Sequence, residues 1–214
     1  MSKVICIMGE SGSGKTTSCR NLDPATTYYI DCDRKGLSWR GWRSQYNAER
    51  KNYLQSNDKD LVQTVLSGIA EKRPAIKTIV VDTINGIMVG DEMRRVKDKG
   101  YDKWVDLASA VWDLVDGAYS YRDDLTIIFL AHTQTERDES GYQWTRIKTN
   151  GKKLDKIVLE SKFSTVLLAK ATPEGRYILE TRSNNSTAKT PMGMFDAAEI
   201  DNDITAVLKA LDEY

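Results

Sequence analysis

Apolar positions along the chain gather into short runs separated by longer stretches with helical spacing. Residues 4–8, 76–81 and 125–131 are nearly continuous apolar or β-branched runs, the pattern of strands buried on both faces of a parallel sheet. Residues 28–31 read as a further strand flanked by turn-formers. Helical spacing appears over 61–72, through Leu61, Val65, Leu66 and Ile69, ending before Pro74. It recurs over 91–99 and over 103–121, where Trp104, Leu107, Val111, Trp112 and Val115 form one stripe. Shorter helices are expected over 15–22, stopped by Asp23-Pro24, and over 204–211. Residues 165–169 and 177–181, joined by Pro173-Glu174-Gly175, read as a hairpin. Residues 34–54 show no assignable period, and the polar stretch 133–153, with turn signals at Ser140-Gly141 and Asn150-Gly151, reads as loop. Strand–helix alternation followed by antiparallel strands predicts an α/β fold: a mainly parallel sheet in a three-layer arrangement, extended by a C-terminal hairpin, in a single domain over 1–214.

Composition narrows this picture in two ways. Lysine plus arginine number 31 and aspartate plus glutamate 31, so any nucleic-acid affinity must come from local patches rather than from the field of the whole molecule. The three cysteines, Cys6, Cys19 and Cys32, fit no metal knuckle or disulfide framework and read as reduced thiols of a cytoplasmic protein. The apolar stretch 4–8 is too short for a signal peptide, and no segment approaches the roughly 18 apolar residues that a bilayer span needs.

Candidate chemistry begins directly after the first strand. Residues 9–16 read Gly9, Glu10, Ser11, Gly12, Ser13, Gly14, Lys15, Thr16, which fits GxxxxGK[ST] in full; Thr17 extends the loop into the expected helix. Glycines let the backbone curl so that successive N–H groups point inward at phosphate oxygens, and the helix start offers its dipole to the same anion. Lys15 is expected to reach the β- and γ-phosphates and the Thr16 hydroxyl to ligate Mg²⁺, which makes the ligand a nucleoside triphosphate, ATP with Mg²⁺. The Mg²⁺ shell also needs a carboxylate, expected from a buried strand next to the first. Asp82, at the end of the 79–82 run, supplies it, a role compatible with capping the next helix.

Hydrolysis needs a group that orients water. The second strand ends in Asp31-Cys32-Asp33, and either aspartate can reach the site from a strand end; Asp33 is the choice. His132, the only histidine, follows the 127–131 run at a strand's carboxyl end, where ligands bind in open α/β sheets.

These residues resemble the RecA-like branch of P-loop ATPases. The 29–33 segment is similar to the strand carrying that branch's catalytic carboxylate, which maps onto Asp33, although members usually carry glutamate there. Residues 79–83 are similar to its Walker B strand, and 127–132 to its sensor strand, with His132 where a polar group couples the γ-phosphate to a DNA-binding loop. More narrowly, the chain resembles small phage-encoded ATPases related to RecA cores, some of them single-strand annealing proteins; residues 188–193 are similar to a segment of that group. The resemblance implies an ATPase of phage recombination or replication acting on single-stranded DNA in a host cytoplasm. With the first strand starting at about Lys3, RecA-type filament assembly through an N-terminal segment is not expected, whereas a ring or another homo-oligomer remains open.

Two segments combine cations with aromatics, the ingredients of single-strand binding. One is 34–53, with Arg34, Lys35, Trp39, Arg40, Trp42 and Arg43; its alternative is a helix with Trp39 and Trp42 in the core. The other, placed in a loop over 133–156, offers Arg137, Tyr142, Trp144, Arg146, Lys148, Lys152 and Lys153; its alternative is a solvated hairpin. Arg176, Arg182 and Lys189 are candidates for a cation that meets the γ-phosphate of a neighbouring copy. Two other function classes stay open: a nucleotide-dependent strand-binding or annealing module with little turnover, and a small-molecule kinase, against which the late hairpin argues.

Overall fold

A computed structural model of the chain describes residues 1–97, 102–149 and 158–214, and of residues 102–105, 107, 108 and 110 the backbone alone. Its strands are β1 (Lys3–Gly9), β2 (Thr27–Asp31), β3 (Tyr53–Gln55), β4 (Thr78–Asp82), β5 (Thr126–Arg137), β6 (Gln143–Ile147), β7 (Thr165–Ala171), β8 (Tyr177–Glu180) and β9 (Glu199–Asp201). They form one sheet in the order β3-β2-β4-β5-β1-β7-β8-β9, with β6 paired to β5. The first six along this order run parallel, and β8 and β9 extend the β7 edge antiparallel.

The period-2 alternation of strands divides the core between two faces. Val4, Cys6, Met8, Ile79, Val81, Ile127 and Phe129 face one way, against Val62, Leu66 and Ile69 of α3 (Lys59–Lys72), Ile84 and Ile87 of α4 (Ile84–Arg94) and Val111 and Val115 of α5 (Asp102–Ala118). Ile5, Ile7, Val80, Ile128 and Leu130 face the other way. They meet Cys19 and Leu22, which follow α1 (Lys15–Ser18), the segment around α2 (Trp42–Gln45), and Ile204 and Val207 of α6 (Ile204–Glu213). This is the expected α/β arrangement, a mainly parallel sheet with helices on both faces and an antiparallel extension at one edge.

Four expectations need correction. The Asp82 strand is not beside β1, because β5 lies between them, pairing β1 on one side and β4 on the other. The helix expected over 15–22 regularises only over Lys15–Ser18; beyond it Cys19, Arg20 and Leu22 donate to carbonyls three residues back, tightening the chain into turns. The helix expected over 91–99 begins seven residues earlier, at Ile84, where Thr83 caps it by accepting from the Gly86 N–H at 3.2 Å. The strand expected to end at residue 131 continues to Arg137 and folds back as β6, so much of the expected loop 133–156 is a hairpin. Among the described residues no helix is long and apolar enough to cross a membrane, and all three cysteines are free and buried.

Candidate functional site

The sheet register assembles the site before any side chain is considered. Gly9 at the end of β1 is level with His132 on β5, and Asp31 at the end of β2 is level with Asp82 at the end of β4. All four lie toward one edge of the parallel sheet, where the loops emerge.

The phosphate loop rises from this edge. A Cβ at Gly9 would stand 2.4 Å from Ser13 Oγ and 2.7 Å from the Ala169 carbonyl, so only glycine lets the loop fold against β7. Gly12 and Gly14 take left-handed φ values of 81° and 91°. Lys15 is buried across the loop, its Nζ donating to the carbonyls of Gly9 and Glu10, each at 2.7 Å. Burial pushes its pKa down to about 8, against the pull of the Asp82 charge. The loop borders a cavity of about 370 Å³ whose lining includes Lys35, His132 and Tyr177.

Thr16 and Asp82, 66 residues apart, meet at 2.7 Å, the threonine hydroxyl donating to Asp82 Oδ2. The buried phenol of Tyr29 donates to the same oxygen at 2.8 Å. Burial raises the Asp82 pKa, opposed by these two hydrogen bonds and by the Lys35 charge. Asp82 Oδ1 has no hydrogen-bond partner and is buried. A hydroxyl oxygen beside a carboxylate with one oxygen to spare is a hard-donor pair that fits Mg²⁺, which takes one or two protein oxygens and completes its shell with water and phosphate.

The two aspartates of β2's end have separate tasks. Asp31 accepts from the Gly36 N–H at 2.8 Å, the Tyr53 phenol at 2.8 Å and Gln55 at 3.1 Å, and so pins the following loop. Asp33 turns toward the site. Thr83 donates to its Oδ1 at 2.9 Å and Lys35 to its Oδ2 at 2.6 Å, and His132 Nε2 stands 3.8 Å from Oδ2. Partial burial pushes the Asp33 pKa up, but His132, Lys35 and Thr83 outweigh it and hold the carboxyl well below the usual range. Gly86 allows this approach: a Cβ there would lie 2.7 Å from Asp33 Oδ1. Lys15, Thr16 and His132 therefore line one cavity, with Asp82 behind Thr16 and Asp33 beside Lys35 and His132.

Behind them, Asn85 on the first turn of α4 accepts the His132 backbone N–H at 2.7 Å and donates to the Lys148 carbonyl at 2.8 Å, while the Lys148 N–H donates to the His132 carbonyl at 2.8 Å. This closed set ties the helix after Asp82 to β5 and to the end of β6.

The residues expected to meet nucleic acid divide. Arg137 is exposed, and Tyr142, also exposed, stacks on half-buried Trp144 with ring centroids 6.0 Å apart. Lys148 is exposed, and Lys152 and Lys153 lie outside the described residues. Arg146 is a correction: its side chain is only 7% exposed, 3.0 Å from Glu136 Oε1 and 3.9 Å from Oε1 of buried Glu160. In the 34–53 segment the aromatics pack inward. Tyr29, Trp39 and Tyr46 meet edge-on, and Trp42 lies against Tyr53, leaving Arg34, Arg40 and Arg43 exposed. Of the candidate finger cations, Arg176 and Lys189 are exposed, whereas Arg182 donates to the carbonyls of Phe195 and Asp196.

Sequence reasoning did not assign Lys35, Tyr29 or Asn85 to the site. Only Lys35 left a local signal, lying two residues past Asp33 in the strand-end loop; the others are placed by register and helix start. A search of curated proteins finds no match to the chain. The family model of the AAA domain matches residues 1–192, and on that match, with its phosphate loop and sheet, the chain belongs to this family of P-loop nucleoside triphosphatases.

Proposed function

We propose that the protein is a Mg²⁺-dependent ATPase whose turnover responds to single-stranded DNA, of the kind used in phage recombination, annealing or replication. The observation that carries this reading is β5, which runs from His132, beside the catalytic candidate Asp33, straight into the hairpin bearing Arg137, Tyr142 and Trp144.

In this reading the loop N–H groups receive the phosphates, and Lys15 exchanges the carbonyls of Gly9 and Glu10 for phosphate oxygens. Thr16 and Asp82 would hold Mg²⁺, whose charge, when bound, offsets that developing on the phosphoryl oxygens. Asp33 accepts a hydrogen bond from the attacking water and orients it. Thr83, which donates to its other oxygen, and His132 beside it keep Asp33 a carboxylate that aligns the water. Lys35 must leave Asp33 for this to happen, and an incoming γ-phosphate is the anion that draws it away. His132 and the Asn85–Lys148 set give strand and hairpin a shared response to that change. Exposed Arg176 or Lys189 of another copy would serve as a finger in a ring or short array.

The Lys35–Asp33 pair also favours a second reading, a nucleotide-dependent strand-binding or annealing module with little turnover. One experiment separates the two: ATP hydrolysis and, by fluorescence polarisation, single-strand binding, both measured for wild type and Lys15→Ala at low salt, the hydrolysis with and without single-stranded DNA. The first reading expects Lys15-dependent hydrolysis that rises with DNA. DNA binding without hydrolysis selects the second, and absence of DNA binding removes both DNA readings.

A further inference from the structure

Asn202 is buried, with 5% of its surface exposed, yet neither Nδ2 nor Oδ1 has a hydrogen-bond partner. Buried carboxamides are almost always satisfied, so one with both polar atoms orphaned calls for a ligand. Its position says which. A Cβ built on Gly14 would stand 3.2 Å from Asn202 Nδ2, 3.4 Å from Oδ1 and 2.9 Å from Cδ1 of Tyr177. A carboxamide and an aromatic ring thus converge on the phosphate-loop backbone one residue before Lys15.

The surroundings fix the amide in place without using its polar atoms. Arg20 donates to the backbone carbonyl of Asn202 at 2.6 Å and to that of Thr17 at 3.1 Å, binding this segment to α1. Asn21 donates to Asp203 at 2.6 Å, and Asp203 caps α6. Tyr177, half-exposed at the start of β8, belongs to neither core and lines the nucleotide cavity. Asp33, Lys35 and His132, which also border that cavity or stand beside it, form a separate cluster around the proposed γ-phosphate position.

We infer that Tyr177 and Asn202 form the base subsite of the nucleotide cavity and select adenine, Tyr177 stacking on the base and the Asn202 carboxamide pairing with its edge. This rests on the reading of the cavity as a nucleoside triphosphate site. A tyrosine face accepts any base, so discrimination falls to the amide. A carboxamide sets an acceptor beside a donor, which complements the N6–H donor beside the N7 acceptor of adenine; on the same edge guanine offers two acceptors. Tyr177 lines the cavity and Asn202 lies next to it, both within 3.4 Å of the position a Gly14 Cβ would take; in this proposal the ring turns toward the base and gives the base edge access to the amide.

The test is equilibrium binding of ATP, GTP and inorganic tripolyphosphate, each with Mg²⁺, to wild type, Tyr177→Ala, Asn202→Leu and Asn202→Asp. Tripolyphosphate reads the phosphate loop without a base. Wild type is expected to favour ATP over GTP by about tenfold or more. Tyr177→Ala should weaken both nucleotides by about tenfold and leave tripolyphosphate unchanged. Asn202→Leu should bring the ATP-to-GTP ratio near one, and Asn202→Asp, which offers acceptors only, should weaken both nucleotides and still favour adenine, whose N6–H it can accept, over guanine, whose same edge offers only acceptors. Equal affinity of wild type for ATP and GTP, or variants that weaken tripolyphosphate as much as ATP, overturns the subsite while the triphosphate reading stands. Failure of all three ligands to bind wild type overturns that reading and the subsite with it.

Discussion

Lys35 Nζ lies 2.6 Å from Asp33 Oδ2, so the carboxylate proposed to orient water is neutralised by a cation from its own strand-end loop. Lys35 lines the nucleotide cavity, with its side chain half-exposed. In the proposed mechanism this contact is the one that must open before Asp33 can take a water.

Removing the acid tests its part in the chemistry. Asp33→Asn should lower kcat for ATP hydrolysis by about 10²-fold or more. ATP affinity should hold or tighten, since a negative charge near the γ-phosphate is lost. Steady-state kinetics with a parallel binding measurement reads both; an unchanged kcat would take Asp33 out of the mechanism.

The Thr16–Asp82 contact predicts a metal phenotype. Thr16→Val deletes the hydroxyl and leaves buried Asp82 with only the Tyr29 donor. The Mg²⁺ concentration that half-saturates ATP binding should rise by about tenfold or more. Metal-free ATP binding should change far less, which a Mg²⁺ titration with and without chelator will show.

Lys15 predicts a pH dependence of fixed sign. Burial pushes its pKa from 10.5 to about 8, so between these values the folded, empty protein holds fewer protons than the unfolded chain. The group disfavours folding below about pH 8, and stability rises as pH increases from there toward the unfolded pKa. ATP reverses the preference, because the phosphates favour the ammonium. Affinity should be full below about pH 8 and fall above it by up to about tenfold per pH unit. Calorimetry in buffers of different ionisation enthalpy should detect proton uptake on ATP binding above that pH, and none with Lys15→Arg.

The phosphate loop was legible because its chemistry is local: eight consecutive residues carry the glycines, the lysine and the threonine. The strands behind it were legible because burial on both faces writes continuous apolar runs. Strand order was not, since the insertion of β5 between β1 and β4 depends on how crossovers pack and leaves no local mark. The start of α4 at Ile84 was hidden by Asn85 and Gly86, weak helix formers retained where Asn85 ties β5 to β6 and Gly86 admits Asp33. The polar residues 133–147 read as loop because β5 leaves the buried layer at His132, after which both strands of the hairpin lose the apolar signature.

The hairpin yields the sharpest separation of roles, because two of its arginines look alike in sequence and differ in the fold. Arg137 is exposed near the turn, in the same hairpin as the stacked Tyr142 and Trp144. Arg146 is enclosed by Glu136 and Glu160, and Glu160 also accepts the Ile147 N–H at 2.6 Å. Arg146→Met strands a buried carboxylate and should destabilise the protein by about 3 kcal/mol in denaturant unfolding. Under conditions where it stays folded, its single-strand affinity should match wild type. Tyr142→Ala should instead leave stability within about 0.5 kcal/mol, as expected for an exposed site. It should weaken single-strand binding by about tenfold, the scale of one lost base stack. Arg137→Ala should weaken binding and reduce the slope of log affinity against log salt by about 0.7, as expected if one phosphate contact is removed from a single strand. If instead Arg146→Met alone abolishes DNA binding while Arg137→Ala and Tyr142→Ala do nothing, the hairpin acts through its packing, and the DNA-contacting surface lies elsewhere.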